Sequence, residues 1–484
     1  MVGGVVLPGT IPAAVDAAAE RFGDSEALVD GELRLTYRDL RTRVRQVAAA
    51  FISGGLRPGD RVAICAPNTW HWVVAALGAS YAGGILVPLN TRFTATEMLD
   101  VISRSDAAAL VVATDFLGRN RLAELQDLGG VPELVLTTGD WSFTDEVDAA
   151  PVQADDISDI LFTSGTTGRS KGAMSAHRQA LAVAAAWADC GNVVAGDRYL
   201  VINPFFHSFG YKAGILVCLL TGATLVPQAV FDVARTIELV EQEGITILPG
   251  PPTIYQTLLS RPGCDTLRLA VTGAAPVPVT LAERMQKRFG TVLTAYGLTE
   301  AVVATMCRPD DGAETVSHTS GRATADFEVR IAPTGEILLR GPNVMIGYLD
   351  DATATAEAID AEGWLHTGDV GVLDDRGYLT ITDRLKDMYV CGGFNVYPAE
   401  VEQALARLDG VTESAVIGVP DDRLGEVGKA FVVTTAELST EDVIEHCRGL
   451  LANFKVPRHV AFLASLPRNA SGKVLKRSLR EEAP

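Results

Sequence analysis

Residues 61–89 read RVAICAPNTWHWVVAALGASYAGGILVPL, and their pattern decides the fold class. Arg61-Val62-Ala63-Ile64-Cys65 is short and apolar beyond its first residue, as a buried strand is. Trp70 to Ala82 has helical length and no proline. Gly83-Gly84 then turns the chain into a second apolar run, Ile85-Leu86-Val87-Pro88-Leu89. Strand, helix, strand is a βαβ unit, which requires parallel strands and places helices on the sheet faces. The same rhythm returns at Ala108–Val112, Tyr199–Ile202, Thr224–Val226, Ile245–Leu248 and Leu269–Val271. The class is therefore α/β. Beyond about residue 320 the texture changes to short strands, Glu328–Ile331, Glu336–Arg340, Val370–Leu373 and Tyr378–Thr382, separated by turn residues. A small antiparallel β subdomain is expected there. The charged string Asp383-Arg384-Leu385-Lys386-Asp387 marks a boundary. The remainder reads β-α-β-β-α-β, with helices at Ala399–Leu408 and Thr440–Leu451.

Composition narrows the function. The chain has 484 residues, 48% hydrophobic and 21% charged, which is globular and long enough for several domains. Asp+Glu number 60 against 41 Lys+Arg, a net charge of −19. That far field repels nucleic-acid backbones and anionic membrane surfaces, so neither partner is expected. A small anionic substrate remains compatible, because local cations and backbone N–H groups outweigh a distant field. Seven cysteines include no CxxC pair, so neither a disulfide framework nor structural zinc is expected, and a reducing cytoplasm is the simpler setting. The greasiest stretch, residues 214–230, is broken by Thr221, Gly222 and Pro227 and predicts a buried helix–turn–strand, with no membrane span.

The sharpest local feature is LFTSGTTGRSKG, residues 161–172. Three glycines, five hydroxyl residues and Lys171 follow an apolar strand. Glycines let backbone N–H groups close around phosphate oxygens, the hydroxyls add donors, and the lysine adds a point charge. The spacing is not that of a Walker A loop. Composition alone would equally describe a polar surface loop.

The string TSGTTGRSKG resembles the phosphate loop of the adenylate-forming superfamily, which comprises acyl-CoA synthetases, luciferases and adenylation domains. Further signatures follow in that family's order over nearly the whole chain. They are Tyr296-Gly297-Leu298-Thr299-Glu300, Thr367-Gly368-Asp369, the pentapeptide at 383–387 running into CGGFNVYPAEVE at 391–402, and PRNASGK at 467–473. The resemblance implies a large N-terminal domain, residues 1–383, of mixed, largely parallel sheets with helices and a small β-barrel subdomain at about 320–383. A hinge at 384–386 and a smaller, mobile α+β C-terminal domain at 387–484 would follow.

The resemblance also implies two steps, using ATP, Mg²⁺ and CoA. A carboxylate first attacks the α-phosphate of ATP, giving an acyl-adenylate and pyrophosphate; a thiol then displaces AMP. Two anions meet in the first step, so charge neutralisation is its main demand. By position, Thr163, Ser164, Gly165, Thr166, Thr167, Gly168 and Lys171 would cradle phosphates. Gly273, Ala274, Ala275, Tyr296 and Gly297 would line the adenine slot. Asp369 would accept from the ribose hydroxyls, with Arg384 beside it. Glu300 would hold the metal, Thr299 would bond the α-phosphate, and Lys473 would bridge carboxylate and phosphate during adenylation. Lys386 takes the hinge position. Cys391, Gly392 and Gly393 would form the channel for the pantetheine arm, with Cys391 a packing residue, since no His/Asp partner pattern supports covalent chemistry. His207 matches an aromatic gate, not a general base.

Phe206, Phe209, Tyr211, Gly214, Pro251 and Val302 fall in the segments that shape the acyl pocket in this family. Several strings, INPFFHSFGYKAGIL among them, most resemble actinobacterial CoA ligases for polycyclic acids, of steroid-ring or platensimycin/platencin-type diterpenoid origin. One stretch departs from those relatives. Ala301-Val302-Val303-Ala304 is apolar where they carry small polar and glycine-rich residues, and this weakens the expectation of adenylation. Three readings are carried: a complete acyl-CoA ligase; a thioester-forming enzyme fed with acyl-adenylate by a separate adenylating ligase; and a non-catalytic nucleotide-binding protein. Homo-oligomerisation is left open.

Overall fold

The computed structural model describes residues 7–139, 141–163, 170–261, 263–272, 277–324, 326–385, 387–391, 394–468 and 474–481. The deciding stretch folds as its pattern requires. Arg61–Cys65 and Ile85–Pro88 are parallel neighbours, with Arg61 opposite Ile85 and Ile64 opposite Pro88. The helix between them, Trp70–Tyr81, is buried on nearly every face from Trp72 onward. A helix apolar all round belongs between layers, and this one packs into the largest core with Trp72, Val73, Leu77 and Tyr81. Gly83, at φ +83°, makes the turn that a side-chain-bearing residue would resist.

The first compact unit comprises residues 1–165, 169–328 and 339–365. Among its described residues are two seven-stranded sheets. One runs Gly347–Tyr348, Gly172–Ala176, Ile157–Phe162, Ile85–Pro88, Arg61–Cys65, Ala107–Val112, Leu134–Thr137. The other runs Thr291–Leu293, Leu269–Val271, Ile247–Pro249, Arg198–Val201, Thr224–Pro227, Glu26–Asp30, Leu33–Thr36. Both are largely parallel, with antiparallel strands at an edge, as βαβ connections and terminal hairpins dictate. The greasy stretch is a π-helix, Phe209–Ile215, continuing into the helix Leu216–Thr221, a left-handed Gly222 cap and the strand Thr224–Pro227. No helix among the described residues is long and apolar enough to cross a membrane. All seven cysteines are free and buried.

The second unit comprises residues 166–168, 329–338 and 366–484. Its core gathers Tyr389, Val401, Leu405, Val416, Phe431 and Val443. The long hairpin joins Val411–Asp421 to Gly425–Thr434, and the strands Tyr389–Cys391 and His459–Phe462 both pair with its second strand. The helices are Pro398–Leu405 and Thr440–Leu450, matching the expected alternation with ends shifted by up to three residues. Ser439 caps the second helix and Asp442 reciprocates, the pairing that fixes its start.

Candidate active site

The strand Ile157–Phe162 and the strand Gly172–Ala176 form an antiparallel hairpin, and the expected phosphate loop is its connection. Residues 164–169 of that loop lie outside the described residues. At its two flanks, the N–H of Thr163 donates to the carbonyl of Lys171 at 2.8 Å and closes the mouth of the hairpin. Both residues are half-buried. The Lys171 ammonium stands 5.0 Å over the ring of Tyr348. Tyr348 belongs to the two-residue strand that pairs with Gly172–Ala176, opposite Ala173.

Thr299 and Glu300 form the tip of a second hairpin, between the paired residues Leu298 and Ala301. Both are half-buried. The Tyr348 hydroxyl donates to Glu300 Oε1 at 2.8 Å. Among the described residues, Glu300 Oε2 accepts no hydrogen bond. Burial and the Glu300 carboxylate together hold the Tyr348 phenol well above its ordinary pKa, so it remains a donor. A carboxylate with one tethered and one open oxygen suits Mg²⁺, which takes one or two protein carboxylates and completes its shell from phosphates and water. No group of three or more His, Cys, Asp or Glu that could hold a metal occurs among the described residues.

The apolar stretch after Glu300 is a core strand. Ala301, Val302, Val303 and Ala304 are all buried, in the strand Ala301–Met306. Its ladder with Ala295–Leu298 slips between Tyr296 and Leu298, and Val303 takes a left-handed φ of 55°. Such a backbone is costly for a β-branched residue. Thr324 compensates: its Oγ1 donates to the Val303 carbonyl at 2.5 Å and its N–H to the Ala304 carbonyl at 3.0 Å. Opposite the bulge, a Cβ on Gly297 would lie 2.5 Å from the Val303 nitrogen, so only glycine fits. Tyr296 is buried in the same hairpin, opposite Thr305.

At the other end of the phosphate hairpin lies a polar group that sequence reasoning missed. Asp159 and Lys212 are 0% and 1% exposed and pair at 2.8 Å. Lys212 Nζ also donates to Ser175 Oγ at 2.8 Å, and Ser158 Oγ donates to Asp159 Oδ2 at 2.7 Å. Lys212 lies on the π-helix Phe209–Ile215, a form that recurs at functional sites. The sequence signal was a lysine inside an apolar run; ordinarily such a lysine reaches outward.

The π-helix also carries the expected acyl segment. Tyr211 is fully buried near Trp72, which packs on Phe205, and burial, then Asp159, raises its pKa far above the ordinary value. Phe209 meets Trp187 edge-on at 4.8 Å. A Cβ on Gly210 would collide with the Pro204 carbonyl at 2.3 Å, and one on Gly214 would press on Val201 at 3.1 Å, so both glycines permit close packing. Phe206 is half-buried beside them, Val302 is in the core, and Pro251 is exposed at the start of the helix Pro252–Leu259. His207 is exposed, and its Nδ1 accepts from the Phe209 N–H at 3.2 Å. Surrounding protein disfavours its charged form, although the ring stays open to water.

In the second unit, Asp369 is buried on the strand Leu365–Leu373 and sits directly opposite Arg384 across the ladder. Thr367 shapes the turn, its Oγ1 donating to the Ile337 carbonyl at 2.7 Å and accepting from the Asp369 N–H at 3.1 Å. Cys391 is buried at the end of its strand, opposite Phe394, which fits a packing role. Gly273, Ala274, Ala275, Lys386, Gly392, Gly393 and Lys473 lie outside the described residues.

The sequence as a whole matches two family models: AMP-binding enzyme over residues 15–349, and AMP-binding enzyme C-terminal domain over residues 400–473. A 3-[(3aS,4S,7aS)-7a-methyl-1,5-dioxo-octahydro-1H-inden-4-yl]propanoyl:CoA ligase of Rhodococcus jostii is 59% identical, over 98% of this chain and 99% of that protein. The Mycobacterium tuberculosis ligase of the same name is 57% identical, over 98% of both. Among solved structures, ATP-bound MatB from Rhodopseudomonas palustris superposes with a TM-score of 0.88 at 31% identity, over 98% of this chain and 99% of that one.

Proposed function

The chain belongs to the AMP-binding enzyme family, and from that premise we propose that it is an AMP-forming acyl-CoA ligase for a fused-ring carboxylic acid. The observation that carries the substrate class is the end-to-end likeness to two ligases named for a methyl-dioxo-octahydroindenyl propanoyl group. That likeness favours a steroid-derived acid over a diterpenoid one. The setting is the cytoplasm, where ATP and CoA are supplied.

In the first step the acid and the α-phosphate of ATP are brought together. Lys171 and the loop before it hold phosphate oxygens, Thr299 donates to the α-phosphate, and Asp369 with Arg384 holds the ribose. Glu300 would hold Mg²⁺, which supplies charge neutralisation on the phosphates when bound. Lys473, on the mobile domain, bridges the two reacting anions. Rotation about Lys386 then replaces it with Cys391-Gly392-Gly393, along which the pantetheine arm reaches the acyl carbon past His207. The burial of Ala301–Ala304 as a core strand supports the complete two-step reading over the thioester-only one, because that stretch is apolar for packing and leaves the Glu300 carboxylate at the turn.

A panel of acids tests the substrate class. A rigid polycycle loses little conformational entropy on binding, so kcat/KM is expected to be highest for a fused-ring propanoate. A higher value for palmitate would overturn the assignment, and a higher value for a diterpenoid acid would move it within the ring-acid class.

A further inference from the structure

Lys171 and Glu300 carry opposite charges and both touch Tyr348, yet among the described residues neither forms an ion pair. The tyrosine stands between them. Its ring face takes the Lys171 ammonium at 5.0 Å and its hydroxyl takes Glu300 Oε1 at 2.8 Å. The backbone around it is stitched to both hairpins at once. On one side, the Ile346 N–H donates to the Met174 carbonyl and the Leu349 N–H to the Gly172 carbonyl, each at 2.8 Å. On the other, the Met345 N–H donates to the Glu300 carbonyl at 2.7 Å, and Val344 bridges to Ala301. The Tyr348 N–H is itself anchored on Thr355 Oγ1 at 2.8 Å.

We propose that Tyr348 is a positioning residue for adenylation, a spacer that holds Glu300 by one oxygen and Lys171 on its ring face. The two charges are thereby kept for a divalent cation and a phosphate instead of neutralising each other. A direct Lys171–Glu300 ion pair would leave the lysine short of charge for the phosphates and occupy the oxygen that a metal needs. The proposal rests on the reading of Glu300 as the metal-holding carboxylate.

The test compares Tyr348→Phe, Tyr348→Leu and Glu300→Gln with the parent enzyme. The readouts are ATP affinity by calorimetry with and without Mg²⁺, acid-dependent pyrophosphate release, and thioester formation from a synthetic acyl-adenylate. Tyr348→Phe keeps the ring and removes one hydrogen bond to a charged group, so the Mg²⁺-dependent gain in ATP affinity is expected to fall about tenfold. Pyrophosphate release should fall by more than thioester formation does. Tyr348→Leu should also weaken ATP binding without metal, because Lys171 loses its platform. Parental metal dependence in Tyr348→Phe, alongside its loss in Glu300→Gln, would overturn the proposal and leave the reading of Glu300 standing. Parental metal dependence in Glu300→Gln would overturn that reading, and the proposal with it.

Discussion

Two hairpins of the same unit handle charge in opposite ways. On the first, Asp159 is wholly enclosed, with Lys212 and Ser158 on its two oxygens. At the tip of the second, Glu300 is half-buried, tethered through one oxygen and open at the other. An enclosed charge must be paired within the protein, because water cannot reach it and desolvation costs several kcal/mol per ion. An open carboxylate can wait for a ligand. The enclosed pair thus holds the π-helix Phe209–Ile215 against the strand Ile157–Phe162, whereas the Glu300 carboxylate keeps one oxygen open.

The largest effect that separates the two hairpins is on stability. Lys212→Met leaves Asp159 buried without its cation, which is expected to cost about 3–5 kcal/mol. Thermal or denaturant unfolding checks this. Replacing both partners with apolar residues should recover much of the loss, since a buried pair gains little over good apolar packing. Parental stability in the single variant would erase the contrast. Tyr348→Phe should leave unfolding nearly unchanged, because its hydroxyl bonds only a half-buried carboxylate.

A smaller effect sharpens the interior side. His177 begins the helix His177–Cys190, and its Nδ1 accepts the Ile11 N–H at 3.3 Å. Burial lowers its pKa, with Asp159 and Asp156 opposing. His71, between the rings of Trp70 and Trp141, is pushed down to about 4 by burial. Folding holds both toward the neutral form, whereas the unfolded chain takes up their protons near pH 6.5, roughly the ordinary histidine value. Stability is therefore complete above that pH and declines as pH falls below it toward the folded pKa values. Unfolding temperatures between pH 7.5 and 5 should fall in the parent and fall less steeply in His71→Gln and His177→Gln. Parallel slopes in all three proteins would contradict the assignment.

Much of this was legible in the sequence because it is local. Runs such as Arg61–Cys65 and Ile85–Leu89 declare buried strands by composition alone, and Gly222 and Pro227 declared the breaks in the greasy stretch. The expected phosphate loop and the Tyr-Gly-Leu-Thr-Glu string are contiguous, so the sequence alone could nominate them. What was missed depends on pairing across distance. Lys212 acquires meaning only when a remote strand brings Asp159 to it. Tyr348 does so only when its short strand is laid beside Gly172–Ala176. The apolar residues 301–304 were read for their nearness to Glu300, whereas their character follows from the core on which their strand packs.

The proposed function requires one chain both to adenylate a fused-ring acid and to transfer it to CoA. The most direct measurement follows, with a single fused-ring propanoate, acid-dependent pyrophosphate release beside CoA-thioester formation, and thioester formation from the matching synthetic adenylate. Pyrophosphate and thioester are expected to appear at matching rates. Thioester formed from the supplied adenylate with no acid-dependent pyrophosphate release would contradict the proposed function and assign adenylation to a separate ligase.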